Sequence, residues 1–373
     1  MSQRFGLYLH IPFCKSKCSY CDFPSYPHME KWQEAVVERM CEELAESGEK
    51  LNHRAPTTVY VGGGTPSILK PELFLKLMTR ARQCFPWNDD AEVSVEMNPG
   101  TVTAQFLDAA RQSGVNRVSM GAQSADDRLL KSLGRIHNAA DIVQSVNMLK
   151  EYGFDNFNLD MMIGLPGQTI DNVCDTIDFF TDLNPTHISC YSLIVEEGTP
   201  LYEQVSHNTV VLSDEELERD MYHEAKQRLE DCGYHQYEIS NFARDGYECR
   251  HNLDCWNREE YLGIGVAAAS FLNNVRIKNP STVSEYLSKS EPERVQLTPE
   301  DAQFESIMLG LRLIKGISDI DFRKRHHLSL SDAYGSVIQR LLNQGLLQWE
   351  GEYLSCTSRG LDIQNEVLME FMN

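Results

Sequence analysis

Leu7-Tyr8-Leu9-His10-Ile11-Pro12-Phe13-Cys14-Lys15-Ser16-Lys17-Cys18-Ser19-Tyr20-Cys21-Asp22-Phe23 runs from a strand-like apolar stretch straight into a loop that carries three cysteines. The spacing is Cys-x3-Cys-x2-Cys, and no fourth cysteine follows, because residue 23 is Phe23. A structural zinc site closes with four ligands, usually in paired Cys-x2-4-Cys spacing. Three thiolates leave a metal centre with an open position, and a cubane iron–sulfur cluster held by three cysteines fits that pattern. Zinc completed by a distant His or Cys is the alternative for this loop taken alone.

Outward from the loop, the first half of the chain alternates two periodicities. Strand-like runs lie at Leu7–Ile11, Thr58–Val61, Glu92–Val95, Arg117–Met120, Phe157–Met162 and His187–Leu193. Between them Trp32–Leu51, Pro71–Cys84, Thr103–Ser113, Ala139–Tyr152 and Ile170–Leu183 carry helical spacing. Thr103 suits an N-cap, and Gly114 suits the residue just beyond a helix end. Strands alternating with helices predict a parallel α/β sheet, either open and doubly wound or a partial barrel. From about Glu196 the alternation stops. A helix over Asp214–Asp231 leads into a polar, aromatic stretch, Tyr234–Phe271. The tail then reads as helices over Pro299–Ile314 and Ser331–Gln344, a hairpin around Leu347–Leu354 and a last helix from Arg359, a small winged-helix-like module. The predicted units are residues 1–200, 201–295 and 296–373.

Composition narrows the function. The chain has 373 residues, 34 Lys+Arg against 55 Asp+Glu, and a net charge of −21. That balance argues against sequence-independent nucleic-acid binding, which depends on neutralising phosphates. It also weighs against tight attachment to anionic membranes, although a local basic patch overrides such a bias and leaves peripheral contact open. No run of about 18 apolar residues is present to form a spanning helix. The first residues lack a signal-peptide pattern, so a cytoplasmic protein with reduced thiols is expected. Of the 11 cysteines, the eight outside the loop read mostly as small hydrophobes.

In parallel α/β folds ligands bind at the carboxyl ends of strands, and the unusual residues sit there. The first run ends in the cysteine loop and the second in Gly62-Gly63-Gly64-Thr65-Pro66, which matches neither a Walker A nor a dinucleotide fingerprint. The third ends in Glu96-Met97-Asn98-Pro99 and the fourth in Gly121-Ala122-Gln123-Ser124, while the fifth carries Asp160 in an apolar run. Glycines allow close backbone approach to a small zwitterion. Carboxylates in apolar surroundings, such as Glu96 and Asp160, need a partner; an arginine, a ligand ammonium or ribose hydroxyls would each serve. Gln123 and Arg135 are placed to do the same from the neighbouring strand and helix.

Cys-x3-Cys-x-aromatic-Cys after a first strand, with Gly-Gly-Thr-Pro after the second, resembles the radical S-adenosylmethionine (SAM) superfamily. Tyr8-Leu9-His10-Ile11-Pro12-Phe13-Cys14, Glu96-Met97-Asn98-Pro99-Gly100, Gly114-Val115-Asn116-Arg117, Gly134-Arg135-Ile136-His137 and Leu159-Asp160-Met161-Met162-Ile163-Gly164-Leu165-Pro166-Gly167 resemble one of its families. That family comprises oxygen-independent coproporphyrinogen III oxidase and its relative, the heme chaperone HemW, and the resemblance covers essentially the whole chain. It implies a partial (β/α)6 barrel with a small C-terminal module. It further implies that Cys14, Cys18 and Cys21 bind a [4Fe–4S] cluster whose open iron chelates SAM. Tyr8, Tyr20, Gly63, Gly64, Thr65, Glu96, Gln123, Arg135 and Asp160 fall on the positions that line the SAM pocket.

Within the family, the oxidase resembles a longer chain with an N-terminal extension and a Cys-x-Cys ending to its loop. Here the first strand starts within seven residues and the loop ends Cys21-Asp22-Phe23; both features, with Gly134-Arg135-Ile136-His137, favour the HemW-like branch. The resemblance then implies heme as a further ligand, heme-accepting proteins as partners and an electron donor such as flavodoxin or ferredoxin. The alternative is radical decarboxylation of coproporphyrinogen III in porphyrin biosynthesis. HemW-like proteins carry His-Asn-x-x-Tyr-Trp, and this chain has His251-Asn252-Leu253-Asp254-Cys255-Trp256, with Cys255 in place of tyrosine. His251 is the candidate axial heme ligand, with Cys255 as an adjacent thiol; a histidine packed against the barrel is the other reading.

Overall fold

The structure, a computed structural model, describes residues 4–372. Six strands lie side by side in chain order, all parallel: β1 (Phe5–Ile11), β2 (Thr58–Gly63), β3 (Glu92–Met97), β4 (Arg117–Gln123), β5 (Phe157–Ile163) and β6 (His187–Ser192). The crossovers contain α1 (Gln33–Lys50), α2 (Pro71–Cys84), α3 (Ala104–Gln112), α4 (Asp127–Ser132), α5 (Ala139–Glu151) and α6 (Ile170–Asp182). Phe5, Leu7, Leu9 and Ile11 of β1 are fully buried, as a parallel strand covered on both faces requires. Thr103 caps α3 by accepting the N–H of Phe106, and Gly114 leaves that helix at φ +79°, so both predicted punctuation marks stand where the sequence places them.

The sheet is mixed where the sequence predicts a parallel one. Beyond β6 the chain forms α7 (Pro200–Ser206) and α8 (Glu215–Asp231), then adds antiparallel β7 (His235–Glu238) and β8 (Asn241–Ala243) to the β6 edge. It then passes through α9 (Arg250–Trp256) to the opposite edge, where β9 (Glu260–Ile264) pairs in parallel with β1. Antiparallel β10 (Ala269–Leu272), β11 (Val275–Lys278) and, after α10 (Val283–Leu287), β12 (Glu293–Gln296) follow. The order across the twelve strands is β12-β11-β10-β9-β1-β2-β3-β4-β5-β6-β8-β7, and its outer strands do not pair with each other. This open, helix-covered sheet is consistent with a partial barrel. The added strands are only three to five residues long, and β12 is exposed throughout, so they carry no continuous apolar run to betray them.

The tail is α-rich with its own core. α11 (Pro299–Gly310), α12 (Asp319–His326) and α13 (Leu330–Asn343) pack around Ile307, Phe322, Ile338 and Leu354. The short strand β13 (Ile317–Ser318) joins the hairpin β14 (Leu347–Glu350) and β15 (Tyr353–Cys356) in the order β13-β15-β14, and α14 (Ser358–Asp362) and α15 (Gln364–Met369) follow. α12 escapes the sequence reading because Phe322 is its one buried residue. Among the described residues no helix is long and apolar enough to cross a membrane.

Candidate functional site

The cysteine loop begins where β1 ends and is lashed to the end of β2. Gly64 N donates to Ile11 O at 2.8 Å and Thr65 N donates to Phe13 O at 2.7 Å. A Cβ at Gly64 would stand 2.5 Å from Phe13 O, and at Gly63, already at φ +109°, it would stand 2.5 Å from the His10 ring. The glycines therefore let two strand ends close on each other, whatever else approaches them. Phe13–Cys14 pairs with Tyr26–Pro27 in a two-residue parallel ribbon that closes the loop at its base. On its far side Ser19 N donates to Leu133 O, and Ser19 O accepts from Leu201 N.

Two of the three loop thiols are tied together by a chain of polar side chains, two from the ends of β2 and β3 and one from the turn that follows α4. Cys14 Sγ lies 3.5 Å from Thr65 Oγ1, which accepts from Asn98 Nδ2 at 2.9 Å. Asn98 Oδ1 accepts from Arg135 Nη2 at 2.8 Å, and Arg135 Nη1 reaches Cys18 Sγ at 3.5 Å. Arg135 also donates to Gly121 O. Cys14, Cys18 and Cys21 are free thiols with partial exposure, and burial raises the Cys21 thiol, helped by the charge of Cys18. Asn98, the link between Thr65 and Arg135, does not stand out in the sequence as a site residue, although it stands two residues after Glu96.

Below this ring lie the two carboxylates. Glu96 accepts from Tyr60 Oη at 2.9 Å and from Gly63 N at 3.0 Å. Burial, and then the charge of Asp160, push its carboxyl up to about 7 against the pull of those hydrogen bonds. Asp160 is raised in the same way by burial and accepts from Asn158 Nδ2 at 2.6 Å. Neither pairs directly with an arginine. Gln123 sits at φ +70°, past an irregularity in the pairing of β4 with β5, and its Oε1 accepts from Tyr191 Oη at 3.1 Å. A non-glycine residue held there by a local bulge is a backbone arranged to aim one side chain. Tyr20 packs beside the Leu133–Leu193–Leu201 cluster, its hydroxyl raised by burial and opposed by Arg135. Tyr8 Oη lies 2.9 Å from His10 Nδ1, and His10 Nε2 lies 3.0 Å from Pro24 O in the cysteine loop.

His251 stands apart from the thiols but its ring stacks on Tyr8 at 6.5 Å. It lies in α9 against the starts of β1 and β2, 7% exposed, its Nδ1 2.9 Å from Thr58 Oγ1 and its ring stacked on Tyr60 at 5.1 Å. Glu92 latches the helix there by accepting the N–H groups of Arg250 and His251. Burial lowers the His251 imidazole to about 4 and raises the Cys255 thiol to about 12. In this arrangement Cys255 offers a thiol rather than a thiolate at neutral pH, and His251 is a packed histidine two contacts from Glu96.

With the geometry in place, comparison with known proteins is specific. The radical SAM superfamily model matches residues 8–180 and the HemN C-terminal domain model matches residues 297–363. The chain is 35% identical over 376 residues to heme chaperone HemW of Bacillus subtilis, covering 98% of each chain. Against heme chaperone HemW of Lactococcus lactis it is 34% identical over 370 residues, covering 98% of this chain and 96% of that one. The solved structure of Escherichia coli coproporphyrinogen III oxidase (HemN), described as a radical SAM enzyme, superposes with a TM-score of 0.86 over 99% of this chain and 90% of that one. At 22% identity that match is a likeness of fold. The chain belongs to the radical SAM superfamily and, within it, to the HemW family.

Proposed function

We propose that this protein is a heme chaperone that binds a [4Fe–4S] cluster, SAM and heme and passes heme to acceptor proteins in the cytoplasm. The observation that carries the cluster and SAM is the joining of Cys14 and Cys18 through Thr65, Asn98 and Arg135. The donor set fits the cluster: three free thiols in one loop and no fourth cysteine beside them. Among the described residues no three His, Cys, Asp or Glu side chains are gathered closely enough for a single metal ion; a cubane takes each thiolate on a different iron and asks for wider spacing. Cys14, Cys18 and Cys21 are the proposed ligands, and Tyr8, Tyr20, Gly63, Gly64, Thr65, Glu96, Gln123, Arg135 and Asp160 the SAM contacts. Radical chemistry at the 5′-carbon of SAM is what the cofactor pair supplies when bound. The chain's own part is to hold the loop closed, present ionised carboxylates to a cationic ligand and keep Arg135 against the thiols. An electron donor such as flavodoxin or ferredoxin is the proposed reductant.

The carrier role rests on end-to-end identity to HemW proteins; the fold match to the oxidase does not extend to its reaction. For heme, the buried position of His251 means that ligation through its ring requires α9 to turn outward, breaking the Thr58 contact. Within this reading the fold is a partial (β/α)6 barrel over residues 1–200, an extension over 201–295 and a winged-helix-like unit over 296–373, the last supported by its separate apolar core. Anaerobically reconstituted protein incubated with reductant, SAM and either heme or coproporphyrinogen III tests the assignment. Stoichiometric heme uptake without decarboxylation is expected. Conversion of the porphyrinogen overturns the carrier role, and zinc without iron and sulfide overturns the cluster.

A further inference from the structure

Beneath Glu96 and Asp160 the interior of the sheet holds a polar cavity of about 170 Å³. Both carboxylates line it, together with Tyr60, His187, Asn241 and Arg117, and Arg117 is the one permanent cation among the described residues of its wall. Arg117 opens β4, is 2% exposed, and its Nε has no hydrogen-bond partner. None of the ion pairs among the described residues involves it, under a 4.0 Å limit. The nearby carboxylates are held by neutral donors instead: Glu92 by backbone N–H groups of α9, Glu96 by Tyr60 and Gly63, and Asp160 by Asn158. A guanidinium buried without a bonded counter-charge is costly, and no part of the mechanism above uses it. The cavity between it and the two acids has room for about five water molecules at ~30 Å³ each.

We propose that Arg117 is a positioning residue for SAM: acting across water in this cavity, it keeps Glu96 and Asp160 ionised so that they receive a cationic ligand. The inference rests on the reading that these carboxylates hold SAM. The groups that face Glu96 are Tyr8 from β1, Tyr60 and the Gly63 N–H from β2, Asp160 from β5 and Arg117 from β4. Burial and Asp160 raise its carboxyl, while Tyr60, Gly63 and Arg117 lower it, and the balance stands at about 7. Without the guanidinium, Glu96 loses the cation that lowers its carboxyl and Asp160 keeps only Arg135, so both take up a proton at higher pH.

Calorimetric titration of SAM into cluster-loaded protein from pH 6 to 9.5 tests this. In the unaltered protein, affinity should tighten as pH rises through about 7, weakening by about tenfold per pH unit below the bend. Arg117→Met and Arg117→Gln should each move the bend upward by about one pH unit, leaving SAM about fivefold weaker at pH 7 and about tenfold weaker well below it, with the curves converging at high pH. Arg117→Lys should restore the bend to within half a unit. The ligand's own ionisation is common to every curve. An unmoved bend in both neutral variants, an equal loss at every pH, or loss of the fold or cluster in both across the range overturns the positioning role. Glu96→Gln separates the underlying reading: it should flatten the bend, and unaltered affinity and bend in that variant would refute the SAM assignment of Glu96 independently of Arg117.

Discussion

Replacing His251 by alanine distinguishes a packed histidine from a poised ligand, and its effect can be worked out in advance. The ring is 7% exposed, contacts Thr58 and stacks on Tyr60. Its removal leaves a buried hydroxyl without its partner and a void beside Tyr60, together costing about 2–4 kcal/mol at pH 8. The imidazole titrates at about 4 in the fold against roughly 6.5 unfolded. The folded state therefore binds fewer protons between those values, and the stability this group contributes is lost as pH falls through that window. By pH 5 the loss is about 2 kcal/mol, and the alanine variant does not share it. Urea unfolding followed by tryptophan fluorescence at pH 8, 6.5 and 5 should show the variant less stable at pH 8 and the gap narrowing by about 2 kcal/mol at pH 5. His10, His137 and His187 titrate in both proteins and cancel in the difference. A gap that stays constant or widens toward pH 5 would refute the buried, neutral placement of His251.

Gly64→Ala brings a Cβ within 2.5 Å of Phe13 O and 2.9 Å of Ile11 O; overpacking of about 1–3 kcal/mol should push the cysteine loop off β2 and reduce iron bound per chain after reconstitution. Asn98→Ala opens the chain of contacts between Cys14 and Cys18, and leaving Thr65 and Arg135 short of a partner at about 1–3 kcal/mol should weaken SAM binding by about tenfold or more in titration calorimetry. Phe322→Ala empties the core of the tail, where Phe322 is 1% exposed, and should destabilise it by about 3–5 kcal/mol; iron content at low temperature should stay unchanged while a scanning calorimeter records an earlier transition.

The parallel half of the fold was legible because strands buried on both faces must be apolar throughout, so Leu7–Ile11 and Phe157–Met162 announce themselves. The strands added at both edges were not. His235–Glu238 is half-exposed, and Glu293–Gln296 faces solvent along its whole length; in such strands pairing comes from backbone hydrogen bonds that leave little mark on side-chain chemistry. At the site, the residues whose type is costly to bury stood out: thiols in one loop, Glu96 and Asp160 in apolar runs. Asn98 did not, since an asparagine before a proline reads equally well as a turn. Arg117 lay in plain view within Gly-Val-Asn-Arg, but nothing in its neighbours tells that its guanidinium points to a cavity and finds no anion. His251 was legible as unusual and misleading as to position, because its companions Thr58 and Tyr60 lie almost two hundred residues earlier in the chain.

The parallel pairing of β9 with β1, Phe5 opposite Glu260 through Leu9 opposite Ile264, bears on how the chain is made. At about 5–20 residues per second, synthesis takes roughly 12 to 50 s to travel from the end of β1 to β9. Through that interval β1 emerges, gains β2 on one side and presents an unpaired apolar edge on the other, which is a template for joining another chain. The cysteine loop hangs from that same strand. Cluster loading and aggregation thus compete for a nascent chain with one open flank, and shielding of that flank until the ribosome has passed residue 264 favours the loaded protein.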